Sequence, residues 1–210
     1  MKTLATLALV ILLSAFIPST SSNIELDILA MYYQKKNDNE FNYDRLIEFE
    51  GRIYELKGSI AFDDNGGTIQ KLGEKLRVDV KKLEHLMAGL EAKNMSNGLG
   101  EEPKILFVQL KAGGDLDLIE KRMQISSEIE EALRQNNLGS SYGVTEGDNV
   151  ANLEFEVQDW NKALAAVFSV IEKYKAQNYC LVGRRVYVLD GDYNVEILYP
   201  PFFDGSFNAF

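Results

Sequence analysis

Apolar positions recur along this chain in two rhythms. From residue 24 to residue 94 they fall mostly three and four apart. Ile24, Ile28 and Met31 are spaced in this way, as are Leu46, Phe49, Ile53, Leu56 and Ile60. Such a stripe marks a helix with one buried face, so residues 24–60 are predicted to be helical. Gly51 and Gly58 weaken those helices by about 1 kcal/mol each relative to alanine. The turn residues from Asp63 to Gly67 separate them from a second apolar set, which includes Ile69, Leu72, Leu76, Val80, Leu83, Leu86 and Leu90. Thr68 and Asp79 are candidate caps there.

After residues 95–103, which hold two glycines and a proline, the rhythm changes. Ile105 to Val108 are consecutive apolar residues, as a strand covered on both faces requires. Leu118, Ile125, Ile129 and Leu133 return to helical spacing, and Asn137 with Gly139 stops it. Leu153, Phe155 and Val157 alternate with Glu154, Glu156 and Gln158, which predicts a strand with one dry and one wet face. Asp159 caps a further helix that carries Leu164, Val167, Phe168 and Ile171. Asp190-Gly191 is a hairpin signal between two apolar runs. The last eleven residues lack periodicity but hold four phenylalanines, so part of that tail should pack back on the body.

These patterns set the expected organisation: a signal peptide at 1–22, a helical domain at 23–94, a linker at 95–103, an α+β domain at 104–199 and a tail at 200–210. The order β-α-β-β-α-β resembles a ferredoxin-like sandwich. That resemblance implies an antiparallel sheet with two helices on one face, here with an added C-terminal hairpin strand. The same stretch is loosely similar to small uncharacterised bacterial domains, through Gly143 to Gly147, Leu153 to Val157 and Asp159 to Leu164. No activity transfers from either likeness. Residues 68–90 are similar to a helix-turn-helix DNA reader at Ile69, Leu72, Gly73, Leu76, Val80, Leu83 and Leu86.

At the N-terminus, Lys2 precedes an apolar run from Leu4 to Ile17 that Pro18 ends. The layout is that of a secretory signal peptide, with Thr20 and Ser22 suited to a cut after Ser22. The run is shorter than the ~20 residues that span a bilayer. The expected location is therefore exported, periplasmic or secreted, with no stable membrane span after cleavage; an uncleaved anchor is the alternative. One cysteine, Cys180, rules out a disulfide framework within the chain. It reads as a small buried hydrophobe at the start of a strand.

The formal charge is −10, and residues 23–103 and 104–199 each carry −5. Uniform acidity opposes phosphate backbones and anionic headgroups, so no nucleic acid is expected; a protein partner is, and the acidity is compatible with a basic one.

Candidate chemistry is sparse. No catalytic or cofactor signature is present, and no cofactor is expected. Asp190, Asp192, Asn194 and Glu196 alternate like calcium ligands, but Val195 and Pro201 stand where that loop needs glycine and a bidentate acid. His85, the single histidine, cannot make a zinc site alone. Glu154 and Glu156 lie ~7 Å apart on one strand face; they fit either shared acid-base work or a solvated sheet face. With Tyr142, Trp160, Asp190 and Asp192 they form the expected binding surface.

The function this suggests is an exported, non-enzymatic protein-binding module, of an adaptor or toxin-neutralising type, that uses an acidic open sheet face. The alternatives are a carboxylate-dependent hydrolase and a membrane-tethered helix-turn-helix regulator. The hydrolase reading requires two acids to converge in a concave pocket, one of them desolvated.

Overall fold

Between residues 26 and 77 the described residues form strands where the periodicity predicts helices. β1 (Leu26–Asn37), β2 (Glu40–Phe49), β3 (Arg52–Phe62) and β4 (Thr68–Arg77) form an antiparallel meander. The computed structural model describes residues 24–37, 40–62, 67–96, 104–113, 117–147, 149–187 and 193–207. The expected signal peptide, most of the expected linker, Asp190 and Asp192 lie outside those residues.

Burial on both sides of this sheet explains the misreading. On β2, Tyr43, Arg45 and Ile47 face one side, Asp44 and Leu46 face the other, and all five are buried. A strand covered on both faces loses its alternation, and two interleaved period-two sets imitate a helical stripe. Gly51 is a hairpin residue rather than a flaw in a helix. Glu50 and Gly51 have φ of 50° and 67° at the tight turn between β2 and β3. Gly58 answers a close approach. A Cβ there would lie 2.0 Å from the Lys71 carbonyl oxygen and 2.6 Å from the Tyr43 hydroxyl.

Among the described residues of 23–94, only the last part is helical. α1 (Val80–Ser96) lies across β1 and β2. Its Leu90 is buried, and its Lys93 ammonium is 3.6 Å from Asp44 Oδ2. Leu46 shares that side of β2 and is fully buried. The helix-turn-helix likeness fails on the same ground, because β4 occupies the place of its first helix.

Residues 104–199 follow the predicted order. They form β5 (Lys104–Lys111), α2 (Arg122–Gln135), β6 (Gly139–Gly147), β7 (Val150–Val157), α3 (Trp160–Lys173), β8 (Cys180–Tyr187) and β9 (Tyr193–Tyr199). The sheet order is β6-β7-β5-β8-β9, with antiparallel neighbours throughout. β7 sits between β5 and β6, so the two β-α-β units interleave. The protein is thus α+β, with two antiparallel sheets.

α2 and α3 cover one face of the second sheet. Ile125, Ile129 and Leu133 join Leu164, Val167 and Phe168 over Leu106, Val108 and Phe155. Asp159 starts α3 by accepting the Lys162 N–H at 3.1 Å. That bond holds the Asp159 carboxyl below the usual range.

The two sheets share a core. Leu26, Ile28, Tyr33, Ile47, Leu56 and Ile60 of the first sheet belong to the same buried cluster as the helices. The first sheet also closes the free edge of β9. Gln70 on β4 accepts the Ile197 N–H at 2.7 Å and donates to the Ile197 carbonyl at 3.2 Å, and Thr68 accepts the Val195 N–H at 3.3 Å. Side chains thus satisfy backbone groups that a neighbouring strand would otherwise take.

The tail completes the first sheet. β10 (Gly205–Phe207) pairs with β4. Phe207 and Phe203 pack on Ile105, Phe107, Leu181, Val195 and Ile197, on the side of the second sheet away from its helices. Phe202 meets Phe49 and Tyr54 edge-on at 5.9 and 5.2 Å. Part of the face that the sequence suggests is open is therefore covered.

Candidate functional site

Of the predicted surface residues, Glu154 and Tyr142 meet at Arg185, Trp160 lies elsewhere, and Asp190 and Asp192 are outside the described residues. Glu154, on β7 opposite Phe107 of β5, is buried and not solvated. Its Oε2 accepts from Arg185 Nη2 at 2.6 Å. The Arg185 guanidinium lies 5.3 Å from the Phe107 ring centre and 5.0 Å from that of Tyr142. Burial pushes the Glu154 carboxyl up, and Arg185 offsets part of the rise. Glu156 and Tyr142 are exposed. Trp160 belongs to the opposite side, against the helix-covered core and 5.5 Å from the Arg184 guanidinium.

A second charged group lies between the sheets. Tyr33 of β1, Arg45 of β2, Arg184 of β8 and Glu196 of β9 are all buried. Arg45 Nη1 donates to Glu196 Oε1 at 2.9 Å and to the Ile197 carbonyl at 3.0 Å, while Nη2 donates to the Pro201 carbonyl at 3.0 Å. Arg184 Nε reaches Glu196 Oε2 at 2.9 Å. The Tyr33 hydroxyl donates to the same Oε2 and accepts from Arg184 Nη2. Burial alone would push the Glu196 carboxyl up. Arg45, Arg184 and Tyr33 together hold it below the usual range. Two guanidiniums around one carboxylate, closed to solvent, form a clamp between the halves of the chain and leave no room for a substrate.

The opposite face of the first sheet carries a groove of about 540 Å³. β1 contributes Tyr32 and Gln34, β2 Asn42 and Asp44, and β3 Lys57 and Ser59. α1 closes one end with Lys93. Strand alternation aims these residues out of the sheet: Tyr32 pairs in register with Asp44, and Asp44 with Lys57. Asp44 is 9% exposed, and its Oδ1 has no hydrogen-bond partner. Burial pushes its carboxyl up and Glu55 adds to the rise; Lys57 and Lys93 oppose it incompletely. Lys57 is itself held by Glu55 at 3.0 Å, a bond that raises its pKa.

Comparison with protein-family models, curated proteins and solved structures returns no match. The site must be read from its own chemistry. Among the described residues, no group of three or more His, Cys, Asp or Glu side chains is placed to hold a metal ion. His85 is exposed on α1. Cys180 is buried at the start of β8, as the sequence suggests, and burial pushes its thiol up to about 12, which makes it inert at neutral pH. Among the described residues, no helix is long and apolar enough to cross a membrane.

What the groove offers is a carboxylate short of one donor, ammonium groups beside it, and neutral amide and hydroxyl groups around them. Each can bind a polar ligand, and Asp44 holds a proton more readily than an ordinary aspartate. Sequence reasoning missed the groove because it placed Asp44 on a helix. The signal it could have used is Tyr43-Asp44-Arg45, two charges in the middle of an apolar run.

Proposed function

We propose that this protein is a non-enzymatic binding module, exported through its N-terminal segment, whose ligand site is the groove over Asp44. The observation that carries the reading is the Asp44 carboxyl: nine-tenths buried, one oxygen without a partner, at the wall of an open groove. Leaving a buried acceptor unmade costs about 1–3 kcal/mol. A ligand that donates to the carboxylate relieves that cost on binding.

The acidic sheet face keeps a smaller part. A basic protein partner finds Glu156 and Tyr142 there, with Glu154 already engaged by Arg185. The β-α-β-β-α-β connectivity supports the ferredoxin-like reading of residues 104–199, a fold that carries no activity by itself.

A thermal-shift screen tests the site. Glycan, metabolite and peptide fractions are added to the mature chain and to Asp44→Ala. The reading expects at least one fraction to raise the Tm of the wild type by several degrees and leave the variant unmoved. Equal shifts in both proteins for every active fraction, or no shift at all, would contradict it. N-terminal sequencing of the protein from its native compartment checks export; a first residue other than Asn23 contradicts the proposed cut.

One observation favours a second reading. Asp44 is desolvated and feels the Glu55 charge, as the acid of a carboxylate pair does. Under this reading Asp44 is the proton donor of a hydrolase. Turnover by the wild type that Asp44→Asn abolishes would replace binding with catalysis.

A further inference from the structure

The charges around Asp44 narrow the ligand class, and the narrowing rests on the groove being the site. Lys36, Lys57, Lys71 and Lys93 border the groove together with Asp44, Glu40 and Glu74. Lys57 and Glu74 face each other across β3 and β4, and Asp44 and Lys57 do so across β2 and β3. The signs therefore alternate from strand to strand. An anionic ligand that reaches Lys57 must also meet Asp44 and Glu74. A cationic ligand that reaches Asp44 must meet Lys57 and Lys93. Like charges at such range oppose either one.

A hydroxyl group faces no such conflict, because it donates to a carboxylate and accepts from an ammonium. The neutral groups of the groove, Asn42, Gln34 and Ser59, likewise donate and accept. Tyr32 adds a half-buried aromatic ring at one wall; the Lys93 ammonium lies 5.1 Å from its centre, and once that side chain moves aside the ring offers an apolar face to the C–H side of a sugar. The Lys57 and Lys93 side chains are 41% and 52% exposed. They are the movable groups beside the carboxyl, so access to it requires side-chain motion and no change in the sheet. We infer that the groove takes a neutral, polyhydroxylated ligand, a glycan, with the Asp44 carboxylate accepting from a ring hydroxyl and Lys57 and Lys93 donating to its neighbours.

The test is a titration of the isotope-labelled mature chain, followed by its backbone amide resonances. The probes are cellotetraose, maltotetraose and N-acetylchitotetraose, with spermine and tripolyphosphate as charged controls. The inference expects saturable shifts at Asn42, Asp44, Lys57 and Ser59 with at least one tetrasaccharide. Asp44→Ala should weaken that binding tenfold or more, and Glu131→Gln, exposed on α2 beside Arg134, should leave it unchanged. If Asp44→Ala does not fold, Tyr32→Ala is expected to weaken the same binding. Shifts at these amides with spermine or tripolyphosphate alone would overturn the glycan and leave the groove as the site. No shift there with any of the five would overturn both. Binding that survives Asp44→Ala and Tyr32→Ala unchanged would overturn the assignment of the contacts.

Discussion

Asp44 and Arg45 are neighbours on one strand, and they face opposite sides of the first sheet. Arg45 points into the space between the sheets, where Glu196 and two carbonyls take its terminal nitrogens. Asp44 points into the groove and keeps one oxygen unpartnered. Both are buried. Arg45 Nε is also without a partner, but it is enclosed between the sheets, whereas Asp44 lines an open groove. The contrast teaches that burial of charge does not mark a site; the mark is an unanswered group at the wall of a groove. The Glu196 cluster ties the two halves of the chain together. The Asp44 groove is where the fold gives up stability and leaves a group available.

The largest expected effect lies in the clamp. Glu196→Ala strands Arg45 and Arg184 without their shared counter-charge, and should lower the unfolding free energy by about 3–5 kcal/mol, read by urea denaturation at pH 7. A loss under about 1 kcal/mol, the value of an exposed pair, would erase the contrast. The clamp also has a pH signature. The Glu196 carboxyl is held below its usual value. Its contribution is therefore complete above the ordinary carboxyl range, near 4.5, and is lost as the pH falls through its lower native value.

Phe155→Ala sharpens the comparison from the apolar side. The ring is fully buried under α2 and α3, and its removal should cost about 3–5 kcal/mol. Equal denaturation midpoints for wild type and variant would show that the faces of β7 are assigned wrongly. Glu154→Gln comes next. Its partner Arg185 is 11% exposed at the side chain, so the loss should be about 1–3 kcal/mol. That differs from the near-zero effect expected of a solvated strand glutamate, and a zero effect would return Glu154 to the open surface.

The same contrast explains what was legible in the sequence. In β7 only one side meets the helices, so Phe155 and Glu154 alternate and the strand reads correctly. In β2 both sides are covered, by the second sheet and by α1, so Leu46 and Ile47 are both apolar and alternation disappears. The hairpin between β2 and β3 is written in Glu50-Gly51, but the apolar spacing outweighs it; the run from Asp63 to Gly67 reads as a turn without saying which elements it joins. The clamp was out of reach, because Tyr33 and Glu196 are 163 residues apart. The groove was out of reach for a different reason. An unpartnered atom is a property of everything around it, and no motif encodes it.

The most direct measurement is the stability of Asp44→Asn against pH. Burial raises the Asp44 carboxyl above its usual 3.8. Its contribution to wild-type stability is therefore present below 3.8 and lost as the pH rises through the higher native value. Removing the charge should then stabilise the fold by about 1 kcal/mol at pH 7, with the gain shrinking towards zero below 3.8. A variant less stable than the wild type at pH 7 would mean that Lys57 and Lys93 already satisfy Asp44, and that the groove holds nothing in reserve for a ligand.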